Sequence, residues 1–411
     1  YSEFSRDKAG EQAARCSQCG VPFCQQGCPL SNNIPDWLKL AAEDRLEEAY
    51  QVSSATNNMP EICGRICPQD RLCEGICTIE QSGHGTVTIG SIEKYITDNA
   101  WDQGWVKPIT PPRERAQSAG IIGAGPAGLA AAEQLRRKGY QVTVYDAYDR
   151  GGGLLVYGIP GFKLEKDVVE RRIKRLEDSG IRFEFNTRVG ETVSLSTLRD
   201  QHDTILIATG VYAAKDLKCP GSGAKGVFPA LEYLTASNRK NFGDDVPAYD
   251  DGTLNADGKR VVVIGGGDTA MDCVRTAIRQ GAKSVSCVYR RDRANMPGSQ
   301  REVTNAEEEG VTFEWLASPD AILDTKAGKL KAVRASRMKL GEPDASGRQS
   351  PVKTGETFDI KADMVIKALA LALRDVPDAN VSWTDEAMVK HKHADVGVAV
   401  SIPGGLITPI V

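Results

Sequence analysis

Cysteines are the residues of this sequence with the clearest chemical role, because eight of the eleven lie between positions 16 and 77. They form two groups of four, and each group contains a cysteine followed by proline. A [4Fe–4S] cube needs four thiolates around a body wider than one metal ion, and closely spaced cysteines with a remote fourth supply them. We therefore predict two such clusters. The first group is Cys16, Cys19, Cys24 and Cys28, and the second is Cys63, Cys67, Cys73 and Cys77.

The last cysteine of each group is expected to serve the cluster of the other group, as in two-cluster ferredoxins. Cys28 would then cross to the second group, and Cys77 would return to the first. The alternative is a pair of structural zinc sites, which use the same tetrahedral sulfur ligands. Zinc ribbons usually present two Cys-x2-Cys pairs, whereas the two groups contain only Cys16 and Cys19 at that spacing. The pattern therefore favours iron–sulfur clusters.

Cysteine usage and charge balance narrow the class of protein. Cysteines crowded into one region indicate metal ligation in a reducing compartment, so we expect the cytoplasm. Cys219, Cys273 and Cys287 stand alone and are predicted to be buried, unreactive thiols. With 51 basic and 55 acidic residues, the formal charge of −4 gives no reason to expect nucleic acid or an anionic membrane as partner. Gly and Pro interrupt the apolar stretches before they reach the length that crosses a bilayer.

A glycine-rich turn follows the apolar strand at residues 119–122 and opens a predicted helix. In that context glycines permit a tight turn, and backbone N–H groups can approach a pyrophosphate at the positive end of the helix. Asp146 closes the next strand, where its carboxylate can accept hydrogen bonds from ribose hydroxyls and would repel a phosphorylated ribose. The turn therefore predicts a site for FAD or NAD rather than NADP. It consists of Gly123, Ala124, Gly125, Pro126, Ala127 and Gly128.

A second turn of the same kind follows the strand at residues 260–264, but a different residue type closes its next strand. Arg290 and Arg291 stand where an acidic residue would bind ribose, and paired guanidinium groups suit the 2′-phosphate of NADP. A solvated basic run is the alternative, since Asp292 and Arg293 follow, but the position is the one that the motif specifies. The turn consists of Gly265, Gly266, Gly267, Asp268, Thr269 and Ala270.

Two dinucleotide sites in one chain indicate that one dinucleotide delivers hydride to another that is held permanently. A flavin can accept two electrons and release them singly, whereas iron–sulfur clusters accept one electron at a time. We therefore expect electrons to pass from NADPH to FAD, and then through the clusters to a partner protein. No nucleophile or acid–base pair accompanies these motifs, so no catalytic side chain is predicted.

The elements that must position these groups are helical before residue 107 and mixed after it. Apolar residues between 34 and 46 recur at helical spacing, which predicts a helix. The Pro-rich and charged segment 107–117 is predicted to be a linker. Each glycine-rich turn belongs to a strand–turn–helix–strand unit. Similar apolar strands at 204–208 and 363–368 suggest that the second nucleotide domain is inserted in the first.

The predicted fold class is α/β with an N-terminal all-α iron–sulfur domain and two Rossmann-like, doubly wound nucleotide-binding domains, the second inserted in the first. We place the helical domain at 1–106 and the linker at 107–117. The FAD-binding domain is placed at 118–218 together with 357–411, and the NADPH-binding domain at 219–356.

The sequence resembles the small (β) subunits of bacterial NADPH-dependent glutamate synthases over roughly nine tenths of its length. The resemblance rests on CSQCGVPFC at 16–24, NNIPDW at 32–37, ICGRICPQDRLCEG at 62–75, GGLLVYGIP at 152–160 and RRDRANMPG at 290–298. It implies FAD in the first site, NADPH in the second, and electron delivery to a large subunit that carries FMN. In that family the large subunit makes L-glutamate from L-glutamine and 2-oxoglutarate, so a hetero-oligomer is implied.

The resemblance also assigns individual residues. It adds Gly153, Leu154 and Gly210 to the cofactor-binding set. In the related dihydropyrimidine dehydrogenase a Gln replaces one thiolate, and its counterpart here is Glu93; Cys63 is kept as the ligand and Glu93 is a lesser candidate. The implied cluster ligands are Cys16, Cys19, Cys24 and Cys77 for one cluster, and Cys28, Cys63, Cys67 and Cys73 for the other, in agreement with the crossing.

The resemblance stops after Ala368. Family members continue Gly-Phe and later carry a Gly-Asp motif that closes over the flavin, whereas this chain reads LALAL at 369–373 and reaches Val411 without that motif. We therefore expect the tail to be truncated or to differ from the family, and we assign it no functional role.

Two other functions fit parts of the sequence. The first is a related NADPH:acceptor flavin and iron–sulfur oxidoreductase that serves a pyrimidine reductase, a sulfide-linked enzyme or a ferredoxin. The second is a nucleotide-binding interaction module stapled by zinc, without enzymatic activity. Iron content separates the second from the first, and the identity of a co-purifying partner separates the first from a glutamate synthase subunit.

Overall fold

The computed structural model describes residues 3–210, 216–324, 328–343 and 349–368, together with the backbone of four short strands between 381 and 407. The chain divides into two compact units. One consists of Tyr1–Val156, Phe162–Gly210 and Pro377–Val411, and the other of Tyr157–Gly161 and Val211–Val376. The second unit thus lies between segments of the first along the chain. Within the described residues, no helix is both long and apolar enough to cross a membrane.

From residue 3 to about residue 102, the regular elements that the structure describes are all helical, as predicted. Trp37, Ile92 and Ile96 are fully buried at the centre of their core, and the half-buried Cys16, Cys24 and other thiols pack against it. The helices are α1 (Arg6–Ala14), α2 (Phe23–Gln26), α3 (Ile34–Ala42), α4 (Leu46–Thr56), α5 (Pro60–Ile66), α6 (Thr78–Gln81) and α7 (Ile89–Asp102), with a 3-10 turn at Gln69–Arg71.

The helix predicted from apolar spacing at 34–46 is shorter in the structure. It ends at Ala42, and Asp44 adopts a left-handed backbone conformation with φ of 60° before α4 begins at Leu46. Aspartate tolerates that conformation because its short side chain can hydrogen-bond locally. The apolar pattern continues through this break, and for that reason it overestimates the helix.

A four-stranded parallel sheet follows, with strand order β3-β2-β1-β4. Ile121 and Val144 are fully buried in it, and Leu129 of the first helix packs from one face. The strands are β1 (Ser118–Ile122), β2 (Gln141–Tyr145), β3 (Arg182–Glu184) and β4 (Thr204–Ile207), and the helices are α8 (Pro126–Arg137), α9 (Leu154–Tyr157), α10 (Lys166–Asp178) and α11 (Leu195–Gln201).

The second unit contains a five-stranded parallel sheet of order β5-β12-β6-β7-β8 and an antiparallel sheet of order β11-β10-β9. Its strands are β5 (Val227–Pro229), β6 (Arg260–Ile264), β7 (Ser284–Tyr289), β8 (Thr312–Trp315), β9 (Ala317–Asp324), β10 (Leu330–Pro343), β11 (Gln349–Lys361) and β12 (Met364–Lys367). Its helices are α12 (Ala230–Asn241), α13 (Pro247–Asp250), α14 (Asp268–Arg279) and α15 (Gln300–Glu308). The two parallel sheets, each with helices between its strands, agree with the predicted fold class.

Strand β12 lies in the second sheet, although the sequence analysis groups its residues with the first nucleotide domain. Val365 pairs with Val262 of β6 and with Val227 of β5. Asp363, just before the strand, accepts hydrogen bonds from the backbone and side chain of Arg260, which fixes the register. The other domain boundaries stay predictions.

The tail after Ala368 falls largely outside the described residues. Within it, the backbone forms two short antiparallel pairs. These strands are β13 (Val381–Trp383), β14 (Met388–Lys390), β15 (Val400–Ile402) and β16 (Gly405–Ile407).

Candidate functional site

Four thiols from both cysteine groups line one cavity of the helical domain. Cys16, Cys19 and Cys24 come from the first group and Cys77 from the second, which is the crossing that the spacing predicts. The remaining walls are mainly apolar, and they include Phe23, Pro35, Leu38, Ile79, Val87 and Ile89.

Electrostatics around this cavity favour a bound cation. The pKa of Cys24 is raised to about 11. Burial is the largest cause, and the neighbouring thiolates of Cys16, Cys77 and Cys19 also raise it. Burial also raises the pKa of Cys16, again with contributions from Cys19 and Cys77. Thiolates that repel one another in an apolar cavity are stabilised when iron neutralises them, and binding then releases their protons.

The other four cysteines gather around α5. The pKa of Cys63 is raised mainly by its hydrogen bond with Cys67, and burial is the second cause. Burial raises the pKa of Cys73, and the charges of Glu74, Glu93 and Cys28 act on it in the same direction. Cys28 therefore lies near the second group, although its sequence position is in the first.

Glu93, the lesser ligand candidate, is buried beside this second group. Its Oε1 accepts hydrogen bonds from Ser53 Oγ at 3.2 Å and from Asn57 Nδ2 at 3.4 Å. Burial raises the pKa of Glu93 to about 8. The geometry therefore keeps both Cys63 and Glu93 within the second group of candidates.

The thiols of this cavity are the donor set that a [4Fe–4S] cube requires, since such a cube is held by four cysteine thiolates around a body wider than one ion. Among the described residues, no group of three or more Cys, His, Asp or Glu side chains forms a site for a single metal ion. The cysteines present suit the iron–sulfur groups that the sequence predicts.

The first glycine-rich turn leaves open space where a pyrophosphate would approach. A Cβ added at Gly125, the N-cap of α8, would meet no atom within 4 Å. A Cβ at Gly123 would lie 2.3 Å from Ala208 O, and one at Gly128 would lie 1.9 Å from Gly123 O. Gly123 and Gly128 are thus required by packing, and Gly125 leaves the helix N-terminus accessible to an anion.

Asp146 ties the strand β2 to this turn. Its Oδ2 accepts a hydrogen bond from Ala124 N at 2.6 Å, and its Oδ1 accepts one from Tyr148 N at 2.8 Å. Each carboxylate oxygen has a second lone pair, so both can still accept a hydrogen bond from a ribose hydroxyl. The residue therefore fits its predicted role and also holds the turn in shape.

The residues added by the resemblance lie near the same turn or at the same edge of the sheet. Gly153, with φ of 54°, packs against Gly125, since a Cβ added there would lie 2.8 Å from Gly125 Cα. Leu154 opens the short helix α9 directly afterwards. Gly210 follows β4 at the carboxyl edge of the sheet, where ligands of such folds bind.

The second turn has the same construction. Gly267, the N-cap of α14, has open space around an added Cβ, whereas one at Gly266 would lie 2.3 Å from the Tyr289 ring. Ala270 is fully buried and continues the turn into the core. Thr269 is exposed at the start of α14. The open position at Gly267 again exposes the backbone of a helix N-terminus.

Asp268 has a structural partner. Its Oδ1 accepts a hydrogen bond from Ser299 N at 2.9 Å, just before α15. Gly298 N donates to Gly266 O at 2.9 Å, so residues 298–299 pack against the turn. Sequence reasoning did not assign this contact, although Gly298 is part of the motif RRDRANMPG and could have signalled a close approach.

The arginines after β7 differ in what they contact. Arg293 forms an ion pair with Glu307 at 2.7 Å, which accounts for it structurally. Within the described part of the chain, Arg290 is exposed without an ion pair, and Arg291 Nε is buried without a hydrogen-bond partner. Two guanidinium groups with unused donors at this position fit a phosphate ligand. The solvated-run alternative therefore suits Arg293 better than Arg290 and Arg291.

The isolated cysteines lie apart from these sites. Cys273 and Cys287 are fully buried in the core of the second unit, as predicted, and Cys219 is partly buried. Burial raises the pKa of Cys287 to about 12, and it also raises the pKa of Cys273. Burial therefore disfavours the thiolate form of both side chains.

Three family models match the chain. Residues 1–105 match the domain described as dihydropyrimidine dehydrogenase domain II, 4Fe-4S cluster. Residues 118–369 match pyridine nucleotide-disulphide oxidoreductase. Residues 352–411 match the catalytic domain of 2-oxoacid dehydrogenases acyltransferase. The second match ends one residue after Ala368.

Curated relatives cover most of the chain. The glutamate synthase [NADPH] small chain of Azospirillum brasilense is 66% identical over 92% of this chain and 78% of its own length. The protein of the same name from Escherichia coli strain K12 is 47% identical over 100% of this chain and 84% of its own. The putative oxidoreductase AegA of that strain is 46% identical over 92% of this chain but 57% of its own.

A solved structure supports the fold. Mycobacterium tuberculosis FprA in complex with NADPH superposes with a TM-score of 0.56 at 20% identity, over 66% of this chain and 74% of its own. At so low an identity, the superposition shows a common fold and nothing further.

Family, fold and site geometry agree on one chemistry. The domains are those of a 4Fe–4S protein joined to an FAD- and NADPH-dependent oxidoreductase, and the chain provides NADPH-driven electron input. The chain belongs to the family of NADPH-dependent glutamate synthase small chains.

Proposed function

We propose that this chain holds two [4Fe–4S] clusters, FAD and NADPH on the residues identified above, and delivers electrons to a large FMN-bearing glutamate synthase chain. That partner would make L-glutamate from L-glutamine and 2-oxoglutarate. The observation that carries the proposal is the convergence of Cys77 with Cys16, Cys19 and Cys24 around one apolar cavity. With Cys77 in this set, Cys28 is left to complete the second set with Cys63, Cys67 and Cys73.

The small-chain names of the relatives imply a larger partner, and the cysteines suggest the compartment. All eleven cysteines lie in the described residues, and none forms a disulfide. Such a chain suits the reducing cytoplasm, where thiols and iron–sulfur clusters persist. We therefore propose a cytoplasmic hetero-oligomer.

The nucleotide sites divide the work between the two units. Gly125 and Asp146 would hold the pyrophosphate and the ribose of FAD. Gly267 and the arginine pair would hold the pyrophosphate and 2′-phosphate of NADPH. When bound, the flavin accepts two electrons as hydride and releases them one at a time, which the clusters require. The protein residues bind and orient these groups.

Metal analysis tests the cluster assignment. Two [4Fe–4S] clusters predict about eight iron and about eight sulfide per chain in anaerobically purified protein. Cys77→Ser is expected to lower the iron content by about half, because Cys77 serves only the cluster of the first group. Cys219→Ser is the matched control and should leave the iron content unchanged. Zinc without iron in the wild-type chain would refute the proposal.

A second candidate is an oxidoreductase with a different electron acceptor. The observation in its favour is that AegA and UacF of Escherichia coli, both named putative oxidoreductases, are 46% and 42% identical to this chain. Anaerobic titration with NADPH should reduce the flavin under either proposal. Only the glutamate synthase proposal predicts co-purification with a large flavin-containing chain and NADPH oxidation that depends on glutamine and 2-oxoglutarate.

A further inference from the structure

Residues 290–298, the arginine loop, lead from β7 towards α15 and begin with the two arginines assigned to the 2′-phosphate of NADPH. They belong to neither a helix nor a strand, so no regular backbone ladder fixes their conformation. A binding loop discriminates well only when its ligand-contacting side chains are held in place before the ligand arrives. The contacts that hold this loop therefore bear on the choice of coenzyme.

Asp292 and Asn295 close the loop on itself. Asp292 Oδ1 accepts one hydrogen bond from the backbone N of Asn295 at 3.0 Å and another from Asn295 Nδ2 at 2.8 Å. A carboxylate that bonds the backbone three residues ahead caps the turn between them, as it does at the start of a helix. A negative charge beside a phosphate site would by itself repel the ligand. The two bonds, which we call the Asp292–Asn295 clasp, give this carboxylate a different role.

Tyr289 ties the clasp to the second glycine-rich turn. Its hydroxyl donates a hydrogen bond to Asn295 O at 2.9 Å. Its ring packs so closely against Gly266 that an added Cβ there would lie 2.3 Å from the ring. At the far end of the loop, Gly298 N donates to Gly266 O at 2.9 Å. The arginine loop is therefore anchored twice to the turn that we assign to the pyrophosphate.

The backbone of Arg291 is held from the opposite side. Leu316 N donates to Arg291 O at 3.0 Å, and Leu316 has a left-handed backbone conformation with φ of 50°. A branched side chain adopts that conformation at a cost, and such strained residues concentrate at functional sites. Leu316 follows Trp315, which pairs with Tyr289 across the sheet. The main chain at Arg291 is thus fixed, while its Nε lies buried without a partner among the described residues.

We propose that Asp292 and Asn295 are positioning residues that decide between NADPH and NADH. Their clasp holds the arginine loop in the conformation that places both guanidinium groups at the end of β7, where the 2′-phosphate is expected. The inference rests on the proposed function, because it takes Arg290 and Arg291 as the phosphate ligands. It assigns Asp292 and Asn295 no contact with the coenzyme. NADH lacks the 2′-phosphate, so its binding does not depend on the order of this loop.

The test separates the clasp from its charge and from general stability. Asp292→Ala removes both hydrogen bonds, whereas Asp292→Asn removes the charge and keeps Oδ1 as an acceptor. Tyr289→Phe removes only the hydroxyl that supports the clasp. Tyr233→Phe is its matched control, because the Tyr233 hydroxyl donates an equally short bond, 2.8 Å to Gln280 Oε1, outside the arginine loop. Fluorescence titrations of the holoprotein measure the affinities for NADPH and NADH, and thermal unfolding measures stability.

We expect Asp292→Ala to weaken NADPH binding about tenfold and NADH binding less than about twofold. Asp292→Asn should keep most of the preference for NADPH. Tyr289→Phe should weaken NADPH binding about threefold, and Tyr233→Phe should leave the ratio of the two affinities unchanged even where it lowers thermal stability. The rate of flavin reduction at saturating NADPH should stay unchanged in all four variants, because a positioning residue of this kind acts on binding.

Equal losses for NADPH and NADH in Asp292→Ala would show a purely structural role and overturn the inference. Tighter NADPH binding in both Asp292 variants would also overturn it, because the carboxylate would then act only through its charge. So would an Asp292→Asn variant as weak as Asp292→Ala. A double variant of Arg290 and Arg291 that keeps the NADPH preference would instead contradict the proposed site itself. Loss of the preference in that double variant, with wild-type behaviour of Asp292→Ala, would overturn the clasp alone.

Discussion

Removal of Arg172 should strongly destabilise the contact between the helical domain and the flavin-binding sheet. Its guanidinium donates to both oxygens of Glu61, at 2.7 and 2.8 Å, and to Glu133 Oε2 at 3.3 Å. Arg172 is 2% exposed and Glu61 is 0% exposed, and the Trp101 ring centroid lies 5.5 Å from the guanidinium carbon. Arg172→Met keeps the apolar volume and removes the charge.

The magnitude follows from which carboxylates lose their partners. Glu133 keeps Arg137 at 2.8 Å and Arg175 at 3.1 Å, so its charge remains compensated. Glu61 has no other side-chain partner among the described residues. Breaking a buried pair by removing one partner costs about 3–5 kcal/mol. A carboxylate left unpaired can instead bind a proton. Protonation costs about 1.4 kcal/mol for each pH unit above the ordinary glutamate pKa of about 4.3. The loss of stability at pH 7 is therefore limited to about 3–4 kcal/mol.

The pH dependence has a defined sign. In the variant, the folded protein would bind a proton that the unfolded chain releases, so folding is favoured as the pH falls. The difference in stability between variant and wild type should therefore shrink by about 1.4 kcal/mol from pH 7 to pH 6. Denaturant unfolding followed by flavin fluorescence and by cluster absorbance measures this difference and shows whether the two regions unfold together.

Two further variants complete the test. Arg45→Met breaks the exposed pair between Arg45 and Glu48 and should change the stability little, because solvent screens that pair. The double variant Glu61→Leu with Arg172→Met removes both charges, and it should recover most of the lost stability because a buried pair can be replaced by apolar groups at little cost. A loss below about 1 kcal/mol in Arg172→Met, or no recovery in the double variant, would refute this reasoning.

Three other predictions concern the cofactor sites. Replacing Arg290 and Arg291 by Ala should weaken NADPH binding at least tenfold and NADH binding little, with Arg293→Ala as the control. Fluorescence titrations measure both affinities, and equal losses for NADPH and NADH would remove the 2′-phosphate assignment. Gly267→Ala adds a methyl group that the folded chain can accommodate but that fills the open space at the N-terminus of α14. It should therefore weaken NADPH binding with little change in thermal stability. A large loss of thermal stability would contradict the assignment of this space to the ligand. Gln18→Leu removes the side-chain amide that lies 3.4 Å from Cys16 Sγ. It should lower the reduction potential of the cluster on Cys16, measured in EPR-monitored titrations. An unchanged potential would exclude a tuning role for Gln18.

The sequence was most informative where covalent spacing limits geometry. The approach of Cys77 to Cys16, Cys19 and Cys24 could be predicted, because three closely spaced thiolates leave one corner of a cube for a remote fourth. The glycine-rich turns were equally predictable, since a strand, a turn and a helix in that order leave few ways to reach a pyrophosphate. Both predictions depend on residues close together in the chain.

Features that depend on distant residues were not predictable in this way. The register of β12 depends on Asp363 and Arg260, which are far apart in sequence, and its apolar pattern suits either sheet equally well. The left-handed Asp44 breaks a helix without interrupting its apolar spacing. The contact of Gly298 with Gly266 likewise brings together two turns that no local motif connects.

The surroundings of the two cysteine groups also suggest a direction for electron flow. A buried carboxylate, Glu74, lies close enough to Cys73 to raise its pKa, and negative charge next to a cluster lowers its reduction potential. Around the first group, Gln18 Nε2 donates to Cys16 Sγ, and the Thr78 hydroxyl lies 3.4 Å from Cys19 Sγ. Hydrogen bonds to sulfur raise the potential. Electrons move towards higher potential, so these surroundings favour flow from the second group to the first.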